Sequence, residues 1–128
     1  MPIEGYYEWQ AIEGRRTKTP YFIHAADGGP VMLAGLTSLW RDELLTFTIA
    51  TRASEGNLAP IHDREPVILT PDLVDPWLNP KLQDSAEVSD LLRQARPEMS
   101  FHEVSTMVNT PRNNTPSLVE PAGTPPLA

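Results

Sequence analysis

Residues 61–69 read Ile61-His62-Asp63-Arg64-Glu65-Pro66-Val67-Ile68-Leu69, in which charged and titratable side chains lead directly into an apolar run. The last three residues predict a short buried strand, which Thr70-Pro71 ends. His62 therefore stands at the start of a strand, where a rigid core can direct a side chain into a pocket. Because an imidazole titrates near neutral pH, His62 is a candidate for proton transfer. The alternative interpretation is a polar loop that precedes a core strand.

A second stretch, Gly5-Tyr6-Tyr7-Glu8-Trp9, predicts a strand in which three aromatic side chains surround one carboxylate. A carboxylate among apolar groups loses hydration, and such a position is uncommon for a charge without a partner or a function. Glu8 is therefore the second candidate for acid–base chemistry, together with His62.

The two stretches together carry a resemblance to the SRAP family, the SOS response-associated peptidases. Gly5-Tyr6-Tyr7-Glu8-Trp9 resembles the family segment G-[FWY]-[FY]-E-W, and residues 62–69 are similar to H-x-R-M-P-V-I-L. Further similar positions follow in the family's order: Thr51, Ala53, Trp77-Leu78, His102, Val104-Ser105, Val108-Asn109 and Pro111-Arg112-Asn113. The resemblance covers almost the whole chain, but only the later part of the family's domain.

Local patterns elsewhere predict further strands and two helices. Strands are predicted over residues 21–25, 31–36, 44–51 and 101–105. Thr70-Pro71 predicts the start of one helix, and Asp84-Ser85-Ala86-Glu87 predicts the start of a second. Fourteen prolines among 128 residues disfavour a helix bundle and favour short strands joined by turns.

The fold implied by the resemblance is an incomplete SRAP fold of the α+β class. Its sheet is expected to be mostly antiparallel and barrel-like, with two or three short helices. Residues 3–115 are expected to form this truncated SRAP domain, and a chain of 128 residues allows one small domain. Residues 116–128 are rich in proline and small polar residues, and we expect a disordered tail there.

Composition limits the classes of function. The absence of cysteine excludes disulfides, thiolate metal sites and a thiol nucleophile within the 128 residues. No apolar run reaches membrane-spanning length and the start does not resemble a signal peptide, so we expect a soluble cytoplasmic protein. The net charge of -7 argues against strong nonspecific affinity for nucleic acid, so a DNA-facing surface has to be a local patch. The cations available for such a patch are Arg15, Arg16, Lys18, Arg52 and Arg64.

The function implied by the resemblance concerns abasic sites in single-stranded DNA. In that family a cysteine after the initiator Met forms a Schiff base with the sugar aldehyde through its α-amine, and its thiol then closes a thiazolidine. The same cysteine is the nucleophile that removes a leader peptide, so both a peptidase and a DNA-crosslinking, lyase-type activity are implied. Glu8 matches the glutamate that shuttles protons, and His62 matches the histidine that assists sugar ring opening. Thr51 and Arg64 are implied DNA contacts, and we expect a monomer that binds no metal and no cofactor.

The sequence departs from the family pattern in two ways. It contains no cysteine and begins just before the Glu8 strand, so we expect the nucleophile and the leading strands to be missing and the chain to be an inactive fragment. Missing strands are expected to leave sheet edges unpaired and apolar surface exposed. Glu65 stands where the family has Met, at a position that we expect to tolerate substitution.

A noncatalytic binding module is the alternative from another class. In it, a small β-barrel holds a peptide or protein partner, and Glu8 and His62 have structural roles. An aldehyde-dependent covalent adduct with DNA in the full-length form distinguishes the two hypotheses, because a binding module gives none.

Overall fold

The computed structural model describes residues 1–123, which form short strands and two α-helices. The strands are β1 Pro2–Ile3, β2 Gly5–Gln10, β3 Thr19–Ala25, β4 Val31–Leu33, β5 Gly35–Trp40, β6 Leu44–Ile49, β7 Thr51–Ala53, β8 Arg64–Pro66, β9 Ile68–Leu69 and β10 Met99–Glu103. The helices are α1 Pro71–Leu78 and α2 Ser85–Leu92, with 3-10 turns at Gly56–Leu58, Thr106–Asn109 and Pro116–Val119. The predicted α+β class is confirmed.

All pairings between these strands are antiparallel, and within residues 1–123 they divide into four small sheets. Two sheets have three strands, in the orders β1-β4-β9 and β10-β3-β2, and two are the pairs β5-β6 and β7-β8. One barrel-like sheet was expected, and in this respect the prediction is wrong. The described strands do not close a barrel. Single residues, Ala34, Ala50 and Val67, separate β4 from β5, β6 from β7 and β8 from β9, and the first two of them interrupt the strands predicted over 31–36 and 44–51.

The three breaks meet in a ring of backbone hydrogen bonds. Ala34 N–H donates to Val67 O at 2.9 Å, Val67 N–H to Ala50 O at 2.8 Å, and Ala50 N–H to Ala34 O at 3.0 Å. Ala34 and Val67 are buried, so these exchanges satisfy backbone groups that have no access to water. Each strand therefore changes its partner at this junction, and β4, β6 and β8 end there.

Two apolar clusters hold the sheets together. The larger joins β3 and β4 to the segment before β8, and its buried members are Ile23, Ala25, Val31, Leu33, Leu58, Ile61, Ile68 and Met99. The smaller is formed by Ala34, Val67 and Leu69, against which one face of α1 packs through Leu73, Val74 and Trp77. Trp77 Nε1 also donates to Gly35 O at 3.1 Å, which ties α1 to the start of β5. No helix within residues 1–123 is long and apolar enough to cross a membrane.

The segment after β10 differs from the expected disordered tail. Leu118 in the last 3-10 turn is buried, Val104 pairs with Pro121, and Ala122 N–H donates to Glu103 O at 2.7 Å. Residues 116–122 therefore pack along β10, because one apolar side chain and two backbone contacts anchor them. The rest of the predicted tail, residues 124–128, lies outside the described residues.

The β5-β6 hairpin exposes apolar side chains on both faces. Leu39, Leu45 and Phe47 share one face and are 54%, 68% and 56% exposed, while Trp40 and Leu44 extend from the other. A two-stranded hairpin without a covered face is marginally stable in water. The exposed apolar surface expected from the sequence is therefore concentrated on this element.

Gly5 in β2 gives a testable packing prediction. A Cβ at Gly5 would overlap the Phe22 ring and lie 2.5 Å from Ile23 O, a backbone atom that cannot move away freely. We expect Gly5→Ala to lower the free energy of unfolding by about 1–3 kcal/mol, the usual cost of overpacking. Gly35→Ala is the matched control, because its Cβ would meet only the exposed Phe47 ring, at 2.9 Å. Equal losses in urea denaturation of the two variants would contradict this account.

Candidate functional site

Strand β2 directs Glu8 and Tyr6 to one face of its sheet and Tyr7 and Trp9 to the other, as strand alternation requires. The Tyr7 ring packs on Phe22, 5.5 Å between centroids, on the face opposite Glu8. The expectation that three rings surround Glu8 is therefore wrong, since only the Tyr6 ring shares its pocket. The Glu8 side chain is 25% exposed, and its Oε1 accepts a hydrogen bond from Trp9 N–H at 3.2 Å.

His62 lies near the end of the loop that connects β7 to β8, and contacts across the loop fix its position. Ser54 N–H donates to Asp63 O at 2.9 Å across the base of the loop, and buried Leu58 and Ile61 anchor it in the core. Gln10 Nε2 donates to Pro60 O at 2.8 Å, which fixes the loop to the end of β2. These contacts hold His62 beside the strand that carries Glu8. The loop residues 54–61 themselves do not line the pocket described below.

Glu8 and His62 face one pocket of about 360 Å³. Its lining residues are Tyr6, Glu8, Leu33, Ile49, Thr51, His62, Arg64, Glu65 and Pro66. The structure therefore brings together all four residues predicted for the site, namely Glu8, Thr51, His62 and Arg64. Their catalytic and DNA-binding roles remain predictions.

The imidazole of His62 is fixed through one nitrogen. Its Nδ1 lies 3.2 Å from both the backbone N and O of Arg64, 3.4 Å from Asp63 Oδ1 and 4.0 Å from Glu8 Oε2. The side chain is 40% exposed, and Nε2 makes no hydrogen bond with residues 1–123. An acid–base pair with one unoccupied ring nitrogen can both remove and supply protons at a bound molecule.

Thr51 and Arg64 lie on paired strands at the same pocket. Arg64 Nη2 donates to Thr51 Oγ1 at 3.1 Å, and the guanidinium is exposed. Arg52, also named as an available cation, points the other way: its side chain is 15% exposed, and Nε donates to Glu65 Oε1 at 3.0 Å. Arg52 is therefore not available for a DNA-facing patch, because it is committed to a buried ion pair.

Glu65 was missed as a site residue by sequence reasoning. It is 2% exposed, and Oε1 accepts from Arg52 Nε and from Arg96 Nε, both at 3.0 Å. Arg52 Nη1 and Arg96 Nη2 continue to the carbonyls of Gln94 and Glu55, so the ion cluster joins β7, β8 and the segment after α2. The expected tolerance to substitution does not fit a buried carboxylate held by two arginines. An acid directly before an apolar run was the only signal for it in the sequence.

Tyr6 is the titratable aromatic group of the pocket. Burial raises the pKa of its phenol most, and the nearby carboxylates of Glu65 and Glu8 raise it further, while Arg96 opposes them. The phenol therefore stays protonated and neutral throughout the pH range in which proteins are ordinarily folded. Elsewhere, within residues 1–123, no three His, Asp or Glu side chains are grouped closely enough to hold a metal ion.

The structure thus defines an antiparallel α+β protein with a carboxylate, an imidazole and one arginine in a strand-lined pocket. The chain belongs to the SRAP family: the sequence profile described as "SOS response associated peptidase (SRAP)" matches residues 1–111.

Named relatives and a solved structure agree with this membership. The chain is 36% identical to abasic site processing protein YoqW of Bacillus subtilis (strain 168), over 94% of this chain and 55% of that protein. It is 33% identical to abasic site processing protein YedK of Escherichia coli (strain K12), over 92% of this chain and 54% of that protein. A crystal structure of a Bacteroides thetaiotaomicron protein matches with a TM-score of 0.77 and 29% identity, over 95% of this chain and 55% of that one. The chain thus spans about half the length of the curated relatives it matches.

Proposed function

We propose that this chain provides the acid–base pair and the DNA contacts of an abasic site processing protein that acts on single-stranded DNA. The observation that carries the proposal is the meeting of Glu8 and His62 in one pocket, with Arg64 and Thr51 at its side. Two motifs far apart in the sequence supply the pair, and relatives over 30% identical carry names of that function.

The proposed chemistry is formation of a Schiff base with the ring-opened sugar. An amine adds to the C1′ aldehyde carbon, the carbinolamine oxygen takes up a proton, and water leaves as the C=N bond forms. Glu8 accepts the proton that the amine gives up, and His62 donates the proton to the departing oxygen. A thiol then adds to the C=N carbon and closes a thiazolidine, with its proton passing to the nitrogen.

The amine and the thiol of this reaction are supplied by neither Glu8 nor His62. Residues 1–128 contain no cysteine, so the proposal assigns the amine and thiol to a polypeptide segment other than these residues. In the associated peptidase activity the same thiol attacks a peptide carbonyl and forms a thioester as the C–N bond breaks, and His62 protonates the leaving amine. Water then hydrolyses the thioester, which releases the carboxylic acid and regenerates the thiol. The part proposed for this chain is proton transfer and substrate placement.

The test of DNA recognition is binding of this chain to single-stranded oligonucleotides that are identical except for one abasic position. We expect the abasic oligonucleotide to bind more tightly than the intact one, because a sugar without its base can enter the pocket. Equal affinities for the two oligonucleotides would contradict the proposed function.

Arg64→Ala provides a prediction about the phosphate contact. We expect weaker binding to every single-stranded oligonucleotide and a salt-dependence slope that is smaller by about 0.7, the value for one phosphate contact on a single strand. Arg93→Ala is the matched control, because Arg93 is 76% exposed, pairs with Asp90 at 3.7 Å and does not line this pocket. Fluorescence anisotropy at several salt concentrations measures both slopes, and equal changes in the two variants would refute a specific role for Arg64.

A further inference from the structure

Tyr6 carries a polar group in the pocket that the proposed chemistry does not use. Its ring packs against the larger apolar cluster, and it lines the pocket two residues before Glu8 on the same face of β2. The hydroxyl makes no hydrogen bond with residues 1–123, and it is not among the buried polar atoms that lack a partner. A phenol that is anchored by its ring and free at its oxygen is placed to meet a ligand.

The surroundings of Tyr6 determine what its hydroxyl can do. Glu8 and Glu65 both face it and oppose ionisation, so the group acts as a neutral O–H donor. The other possible donors that line the pocket are Thr51, His62 and Arg64. Arg64 Nη2 already donates to Thr51 Oγ1 at 3.1 Å, and His62 is held through its Nδ1, whereas the Tyr6 hydroxyl has no such partner within residues 1–123. The family segment to which residues 5–9 are similar has Phe, Trp or Tyr at this place, and of the three only Tyr carries a hydroxyl.

We infer that the Tyr6 hydroxyl donates a hydrogen bond to the C1′ oxygen of an abasic deoxyribose, so that Tyr6 is a specificity-determining residue of the pocket. This inference rests on the proposed function and names the sugar atom that the pocket recognises. No bond is made or broken by Tyr6. Its hydrogen bond selects a sugar that retains oxygen at C1′, the atom to which His62 gives its proton in the proposed chemistry.

The experiment compares three single-stranded oligonucleotides of one sequence: intact, with a natural abasic deoxyribose, and with a tetrahydrofuran that lacks the C1′ oxygen. We expect the parent chain to prefer the natural abasic sugar over tetrahydrofuran by about three- to tenfold, the range that one neutral hydrogen bond gives. Tyr6→Phe should reduce that ratio to about one while tetrahydrofuran binding stays at the parent value. Tyr7→Phe, which removes a phenol on the opposite face of β2, should keep the parent ratio.

The outcomes separate this inference from the proposed function. A parent chain that binds both abasic oligonucleotides no better than the intact one contradicts the proposed function itself. A parent that favours both abasic oligonucleotides equally, or a Tyr6→Phe variant that keeps the parent ratio, overturns the assignment of Tyr6 and leaves the proposed function standing. Tyr6→Trp is the second variant, because the family segment accepts Trp there, and it should lose the preference as Tyr6→Phe does.

Discussion

We expect Glu8→Gln to slow covalent adduct formation with an abasic oligonucleotide by roughly 10²–10⁴-fold, the contribution typical of a positioned general acid or base. The substitution keeps the shape of the side chain and its hydrogen bond from Trp9 N–H but removes the proton-carrying carboxylate. The assay uses a chimera in which residues 1–128 replace the matched part of abasic site processing protein YoqW, so that the rest of that protein is tested as the source of the proposed amine and thiol. Adduct yield against time is measured on denaturing gels, and residues 1–128 alone give no adduct because they contain no cysteine.

We expect His62→Ala in the same chimera to slow adduct formation. Binding to an intact oligonucleotide should stay near the parent value, because one imidazole contributes little to phosphate affinity. Asp63→Asn is the matched control: Asp63 Oδ1 lies 3.4 Å from His62 Nδ1, but the Asp63 side chain is 90% exposed. We expect Asp63→Asn to retain the parent rate. If Glu8→Gln and His62→Ala form adduct at the parent rate while folding normally, the two residues have only structural roles and the proposed chemistry is wrong.

The sequence predicted the elements whose signals are local. Aromatic and β-branched residues predicted β2 and β3, and alternation predicted β6. Asp84 was identified as the cap of α2, where its Oδ1 accepts from Ala86 N–H at 2.8 Å. The site residues were also predictable, because each lies in a short motif whose order matches the family. Local patterns and motifs thus gave the elements and the candidate pair.

Long-range pairing was not predictable from the same patterns. Ala34, Ala50 and Val67 are apolar residues within predicted strands, and nothing in their spacing shows that they exchange hydrogen bonds with one another. The three aromatic neighbours of Glu8 were assigned to its surroundings by proximity in sequence, although alternation sends Tyr7 and Trp9 to the opposite face. The first difference arises because contacts across strands depend on register, which a single sequence does not specify; the second was predictable, since it follows from alternation within one strand.

We expect Glu65→Met to lower the free energy of unfolding by about 3–5 kcal/mol, the cost of breaking a buried ion pair. The loss is expected even though Met is the residue that the family pattern has at this position. The loss comes from the two arginines that remain: Arg52 and Arg96 side chains are 15% and 11% exposed, and each donates Nε to Glu65. Without the carboxylate, two guanidinium groups are left largely buried and uncompensated. Glu55→Gln is the control, because Glu55 is 72% exposed and 3.9 Å from Arg52, and its change stays within about 0.5 kcal/mol.

The triple variant Glu65→Met, Arg52→Leu, Arg96→Leu tests where the stability loss of Glu65→Met comes from. The loss arises either from the two arginines left without their carboxylate or from altered packing at position 65. Arg52 Nη2 is buried and makes no hydrogen bond with residues 1–123, so the cluster is incompletely satisfied even in the parent chain. Replacement of a whole buried ion cluster by apolar residues of similar volume is often neutral or stabilising, and we expect the triple variant to recover most of the lost stability. Urea denaturation of the three chains measures this recovery. A triple variant no more stable than Glu65→Met would mean that position 65 requires the carboxylate for packing around the pocket, independently of its two arginines.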